Sequence, residues 1–223
     1  MSSYTVPSVV EATARGERVS DVISRLLSDR IVLIGTPIDD GVATVVIAQL
    51  LHLAGADAAR DVQLYVNCPG GSPSATLAIH DTMRFVSPDV ATICVGQAAG
   101  PAALLVAAGA DGKRAILPHA RVRLEQPSAG GRRGSMSDLA LEAAELARRR
   151  GEAERILADR TGHDVERIRR DTDRAMVLDA REAVAYGLVD RVAEPAPSGS
   201  QELRARRALR PDRGELEAAD GGG

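Results

Sequence analysis

The chain has 223 residues, 44% hydrophobic but only 2% aromatic, with a formal net charge of −3. That is enough apolar material for one core built from Ala, Val, Leu and Ile, and the length suits one domain. The near-balanced charge excludes bulk attraction to nucleic acid or an anionic membrane, and MSSYTVPSVVEATARGER at the start has no apolar signal region, so a cytoplasmic protein is expected.

In chain order, Arg30 to Gly35 reads as a short buried strand closed by glycine. Asp39 and Asp40 are suited to cap the helix that runs through VATVVIAQLLHLAGA. A second strand, Val62 to Val66, leads into the turn Asn67-Cys-Pro-Gly-Gly71, and a helix is expected over Ala75 to Phe85. Val90 to Val95 is a third strand and Pro101 to Ala110 a third helix. The stretch from Val90 to Ala110 is nearly uncharged, but Gly96, Gly100 and Pro101 break it. It therefore reads as strand, turn and helix, not as a membrane span. Arg114 to Leu117 and Arg121 to Leu124 are further short strands.

A polar loop, Ser128 to Ser135, precedes a long helix from about Ser137 to Arg160. Leu139, Ala143, Leu146, Ala153 and Leu157 keep one apolar side on it, and Glu and Arg crowd the other. Short helices over Asp164–Asp171 and Ala180–Tyr186 and a last strand, Leu188–Val192, complete the pattern. This alternation argues for an α/β domain with largely parallel strands. The tail from residue 194 to 223 is rich in Pro, Gly and charge and reads as disordered. Cys68 and Cys94 form no CxxC pair and read as buried structural thiols.

Several ordered segments carry a resemblance. They are Ala14-Arg-Gly-Glu-Arg18, Tyr65-Val-Asn-Cys-Pro-Gly-Gly71, Ile79-His-Asp-Thr-Met83 and Thr92-Ile-Cys-Val-Gly-Gln-Ala-Ala99. Gly112 to Pro118, Glu125-Gln-Pro127, Arg170-Asp-Thr-Asp-Arg174 and Ala183 to Asp190 continue the series. From about residue 4 to 193 the chain resembles the proteolytic subunit of the Clp protease, a family of serine peptidases, and in particular an inactive, ClpR-like member. The resemblance implies the ClpP/crotonase fold: repeated β-β-α units with a handle, here about 121–160, made of a strand and a long helix. Residues 1–18 would form a partly flexible axial segment and 19–193 the domain. It also implies heptameric rings stacked through their handles, with an ATP-driven AAA+ unfoldase docking outside.

The family's catalytic serine falls at Gly100, its histidine at Glu125 and its aspartate at Ala175. All three side chains needed for nucleophile, base and base-orienting group are absent, and such losses remove roughly four to six orders of magnitude in rate. The resemblance also places an oxyanion hole at the amides of Gly71 and of residue 101, which is Pro101 and has no N–H. One lost donor costs about 2.7–4 kcal/mol of transition-state stabilisation. Proline nonetheless suits the first position of a helix, so Gly-Pro keeps the turn while removing the chemistry.

An alternative hydrolase would use Ser72 with His119. A crotonase-like CoA enzyme would use Glu125 as a base. Against these stand ordinary roles: turn residues for the serines and His80, and a carboxylate paired with Arg121 or Arg123 for Glu125. No His/Cys cluster or phosphate loop is present, so no metal or cofactor is expected. The resemblance places an unfoldase-docking pocket at Gln63, Tyr65, Phe85 and Ala115. Gln63 and Ala115 stand where aromatics are usual, which weakens the expected docking. The expected role is a structural or regulatory ring subunit, with itself and active Clp proteolytic subunits as partners.

Overall fold

In a computed structural model the described residues are 7–13, 16–126 and 134–193. The expected tail and most of the 128–135 loop lie outside them. The first described element is an antiparallel hairpin, β1 (Ser8–Thr13) on β2 (Gly16–Asp21), with Val10 opposite Val19. A short helix, α1 (Val22–Ser28), follows, its first turn held by the Asp21 carboxylate, which accepts from the Ser24 amide at 2.9 Å. Neither the hairpin nor α1 is evident in the sequence pattern.

The main sheet starts with β3 (Ile31–Ile34) and β4 (Val62–Cys68), linked by α2 (Asp40–Ala56). Asp39 caps α2 as expected, accepting from the Val42 amide at 2.8 Å. Arg30 ends it: its guanidinium donates to the carbonyls of Leu53, Asp57, Arg60 and Asp61. Arg30 does so from a left-handed backbone, φ 65°, a conformation rare for residues with a Cβ. Helix α3 (Pro73–Phe85) follows β4, with Ser72 as its cap and proline in its first turn.

β5 runs from Val90 to Ala99, longer than the expected Val90–Val95, and its length gives it two sets of partners. Thr92–Cys94 pairs in parallel with β6 (Arg114–Ile116), and Gln97–Ala99 pairs in parallel with β7 (Arg121–Leu124). Helix α4 (Pro101–Ala107) turns back immediately from β5, is buried along its length except for Pro101, and ends before the expected Ala110. The sheet path is β3-β4-β5-β6-β9, all parallel. β8 (Met176–Leu178), which the sequence does not announce, pairs antiparallel with β7. The last strand, β9, is only Arg191–Val192, because the Leu188 amide bonds back to the Ala183 carbonyl in the turn that closes the preceding helix.

Between β7 and β8 lie α5 (Met136–Thr161) and α6 (Val165–Asp173), and α7 (Ala180–Ala185) precedes β9. A capping box of Ser135 and Asp138 starts α5. The expected apolar side of α5 is only partly used: Leu157 is buried and Ala153 packs on the core, whereas Leu139 is 37% exposed. Met136 and Leu141 are 83% and 72% exposed. The first half of the helix thus has no core beneath it, while its second half is anchored by the buried Glu154, held by Arg150 and Arg169. Buried Arg114 fastens the far edge through a charge-assisted fork on Asp190 and donates to the carbonyls of Ala107, Arg160 and Gly187.

Candidate functional site

The turn from β5 into α4 is the point on which the site is built. Gly100 adopts φ 51° and ψ −117°, a backbone that strongly favours glycine. Its amide donates to the Arg123 carbonyl at 2.8 Å, tying the turn to β7. Pro101 opens the helix with no N–H to offer. The Gly70-Gly71 turn closes the other side: a Cβ on Gly70 would lie 3.4 Å from the Ala99 carbonyl oxygen. Gly71 sits at φ 147°, and a Cβ there would overlap the Ile38 backbone. The Gly70-Gly71 turn and the β5–α4 turn therefore meet, and residue 101 has no amide hydrogen to offer there.

Glu125 follows β7 directly and packs onto Gly100. A Cβ on Gly100 would meet its Oε1 at 3.1 Å and its Cγ at 3.3 Å. Its other oxygen, Oε2, pairs with the Arg123 guanidinium at 2.6 Å, so of the two arginines expected it is Arg123 that neutralises it. Arg121 instead donates to the carbonyls of His119 and Ala120. Ala175 is exposed just before β8. The antiparallel register Leu124↔Met176, carried one residue on, sets Ala175 opposite Glu125. Gly100, Glu125 and Ala175, far apart in sequence, thus converge on one corner.

The alternative nucleophile and base positions are not brought together. The Ser72 hydroxyl caps α3, 3.4 Å from the Ala75 amide, and shares a 2.9 Å hydrogen bond with Ser74. His119 is exposed on the connection between β6 and β7. His80 pairs through Nδ1 with neighbouring Asp81. Among the described residues no serine hydroxyl bonds an imidazole. Nor can the cysteines supply a nucleophile, since both are buried. Burial pushes the Cys94 thiol up to about 11, and Cys68, also raised by burial, donates to the Gly70 carbonyl at 3.1 Å. Neither is a thiolate near neutral pH. Among the described residues no group of three His, Cys, Asp or Glu side chains is placed to hold a metal.

Three features of the site escape the sequence. A narrow cleft of about 40 Å³ beside Gly100 and Glu125 is walled by apolar residues of α3, α4 and α5. Arg149 of α5 stands on the same cleft, its Nε held by Glu145 at 3.1 Å. Gln126 links α5 to the entry of β8: it accepts from Arg150 at 2.7 Å and donates to the Asp173 carboxylate at 2.7 Å. A glutamine wedged between Glu125 and Pro127 is the only trace of that link in the sequence.

Of the four residues expected to form a docking pocket, three share one sheet face. Tyr65 and Ala115 both stand in register with Ile93, and the Tyr65 hydroxyl donates to Gln63 Oε1 at 3.2 Å. Phe85, 81% exposed at the end of α3, makes no ring contact among the described residues.

A mainly parallel sheet, helices following its strands, and a tight glycine corner between strand and helix define a ClpP-type α/β subunit. The chain belongs to the Clp protease family, whose family model matches residues 14–196. It is 55% identical over 192 residues to ATP-dependent Clp protease proteolytic subunit 2 of Streptomyces avermitilis, covering 86% of this chain and 96% of that protein. Proteolytic subunit 4 of Rhodococcus jostii is 56% identical over 190 residues, covering 85% and 97% of the two chains. Proteolytic subunit 1 of Corynebacterium glutamicum is 50% identical over 191 residues, covering 86% and 92%. Among the described residues no helix is long and apolar enough to cross a membrane.

Proposed function

We propose that this chain is a non-catalytic subunit of a ring-shaped Clp protease assembly, working in the cytoplasm. It acts structurally or as a regulator, in rings of its own or mixed with active paralogues. The observation that carries this reading is the corner itself. Where a nucleophile would project, Gly100 has no side chain, and the Glu125 carboxylate lies against it. Ala175 offers no group to orient a base, and Pro101 lacks one of the two amides that acyl-transfer chemistry needs.

The exposed apolar start of α5, Met136 and Leu141, suits burial against another subunit. An ATP-driven unfoldase would find a poor seat on this subunit: two of its four pocket positions are Gln63 and Ala115, and Gln63 already engages the Tyr65 hydroxyl. Pull-down with the host's unfoldase should therefore retain an active paralogue far better than this chain.

The deciding experiment sets the purified chain against a fluorogenic peptide panel and an acyl-CoA panel, with native mass spectrometry of the chain alone and mixed with its host's active subunit. The expected result is no turnover and ring-sized masses in one or both samples. Turnover that disappears in Ser72→Ala or Glu125→Ala would replace this reading with an enzyme.

A further inference from the structure

The cleft beside Gly100 has the makings of a ligand site that needs no catalysis. Pro73, Leu77, Pro101, Leu104, Ala153 and Leu157 give it apolar walls around about 40 Å³. That is room for about three water-sized groups, the scale of an aliphatic side chain. Glu125 lines the same cleft with half of its carboxylate uncommitted. Arg123 takes Oε2 at 2.6 Å, while Oε1 faces the bare Gly100 and accepts no hydrogen bond from any described residue. The Glu125 side chain is 26% exposed. A carboxylate oxygen without a donor is satisfied best by a charged one. The other cation on the cleft, Arg149, is already held by Glu145.

We infer that the cleft binds an α-ammonium group carrying an aliphatic side chain, as at the free amino terminus of a peptide that begins with leucine. The ammonium would sit on Glu125 Oε1 and the side chain against the apolar walls. An α-ammonium is compact and sits one carbon from its side chain, so charge and apolar bulk fit within so small a space. Its ordinary pKa near 8 keeps it mostly charged at pH 7. Peptide hydrolysis is the class of reaction that supplies such termini, because every cut leaves a new amine. The inference rests on the reading that this corner performs no chemistry of its own.

The test titrates the full chain at pH 7 with leucine, leucinamide, N-acetyl-leucinamide and a leucyl tripeptide amide, by calorimetry and by amide shifts at Ala102 and Glu125. Leucinamide and the tripeptide amide should bind and move the same signals. N-acetylation, or Glu125→Gln, should weaken binding by at least about tenfold, the worth of one charge-assisted bond. Ala153→Phe, which fills the cleft without touching Glu125, should weaken it likewise. Binding of leucine equal to that of leucinamide extends the ligand to free amino acids and supports the site. Equal binding of the acetylated ligand, or none of the four binding up to its solubility limit, overturns the inference alone. Hydrolysis of the tripeptide would overturn it together with the non-catalytic reading.

Discussion

Replacing Gly100 by Ser, Glu125 by His and Ala175 by Asp puts a nucleophile, a base and an orienting carboxylate back at the three positions that converge on the β5–α4 corner. The serine alone would crowd Glu125, because its Cβ would lie 3.1 Å from Glu125 Oε1. It also inherits φ 51°, with strain of order 1–3 kcal/mol that the surrounding packing must hold. Even so, the triple variant should turn over slowly. Pro101 still withholds one of two oxyanion donors, which leaves about 2.7–4 kcal/mol of transition-state stabilisation unmade, or about 10²- to 10³-fold in rate. Adding Pro101→Ala supplies the N–H at the first helical position and should raise kcat/KM by that factor. The assay compares triple and quadruple variants side by side, by fluorophosphonate labelling rate and by fluorogenic peptide hydrolysis. Both are normalised to the same assembled mass. Equal rates in the two variants would refute the assignment of residue 101 to an oxyanion hole.

Other outcomes follow from the same packing. Gly71→Ala should fail to fold or should lose the turn, since its Cβ would occupy the Ile38 backbone; circular dichroism and thermal melting would register either. Burial raises the Asp190 pKa, but its bonds from the Arg114 amide and guanidinium outweigh that and hold it below the usual carboxylate range. Its stabilisation is therefore present above the ordinary aspartate value near 4 and is lost as pH falls through the lower native value. Asp190→Asn should then cost up to about 3 kcal/mol at pH 7, with the gap to the parent closing on acidification, as read by denaturant melts across pH. His163→Phe keeps the edge-on contact with Tyr186 and removes a buried Nε2 that has no hydrogen-bond partner, while giving up the exposed 3.3 Å contact of Nδ1 with Arg167. The net gain in stability should be about 0.5–1 kcal/mol, or a few degrees in Tm. Finally, Gly100→Ser should destabilise less in a Glu125→Ala background than alone, with a coupling of at least about 0.5 kcal/mol in a double-mutant cycle.

What the sequence makes legible is whatever is written locally. The β-branched runs of β3 and β4, the Asp39 cap and the helix after Pro101 all follow from residue type and spacing. β5 reads short because Gly-Gln-Ala-Ala has turn-like composition, yet pairing with β7 carries it to Ala99. β8 is three residues long and exists only through its partner, so no window of sequence announces it. The two-sided fate of α5 is hidden for a similar reason: Leu139 and Leu157 look alike in the heptad-like pattern, but only one reaches the core. At the site, the ordered motifs are enough to single out Gly100, Glu125 and Ala175. Contact of Glu125 with Gly100, its choice of Arg123 over Arg121, and the Arg150–Gln126–Asp173 link depend on side-chain directions that spacing does not encode.

The state of the corner bears on whether the missing triad reflects decay. Unconstrained loss would leave a mark of its own: a turn that no longer closes. Instead the Gly100 amide keeps its bond to Arg123, and Gly-Pro holds the strand-to-helix reversal. The Glu125 methylene packs where a side chain at 100 would stand, and its carboxylate finds an arginine. The replacements are coupled, since a Cβ at 100 would crowd Glu125 at 3.1 Å and make its side chain give way by a few tenths of an ångström. The helices α3 and α4 around them bury Ile79, Leu104 and Leu105. Agreement of this kind between turn, packing and charge is what a sequence under structural selection shows. On the reading proposed above, the constraint falls on keeping the subunit's shape and not on cutting a peptide bond.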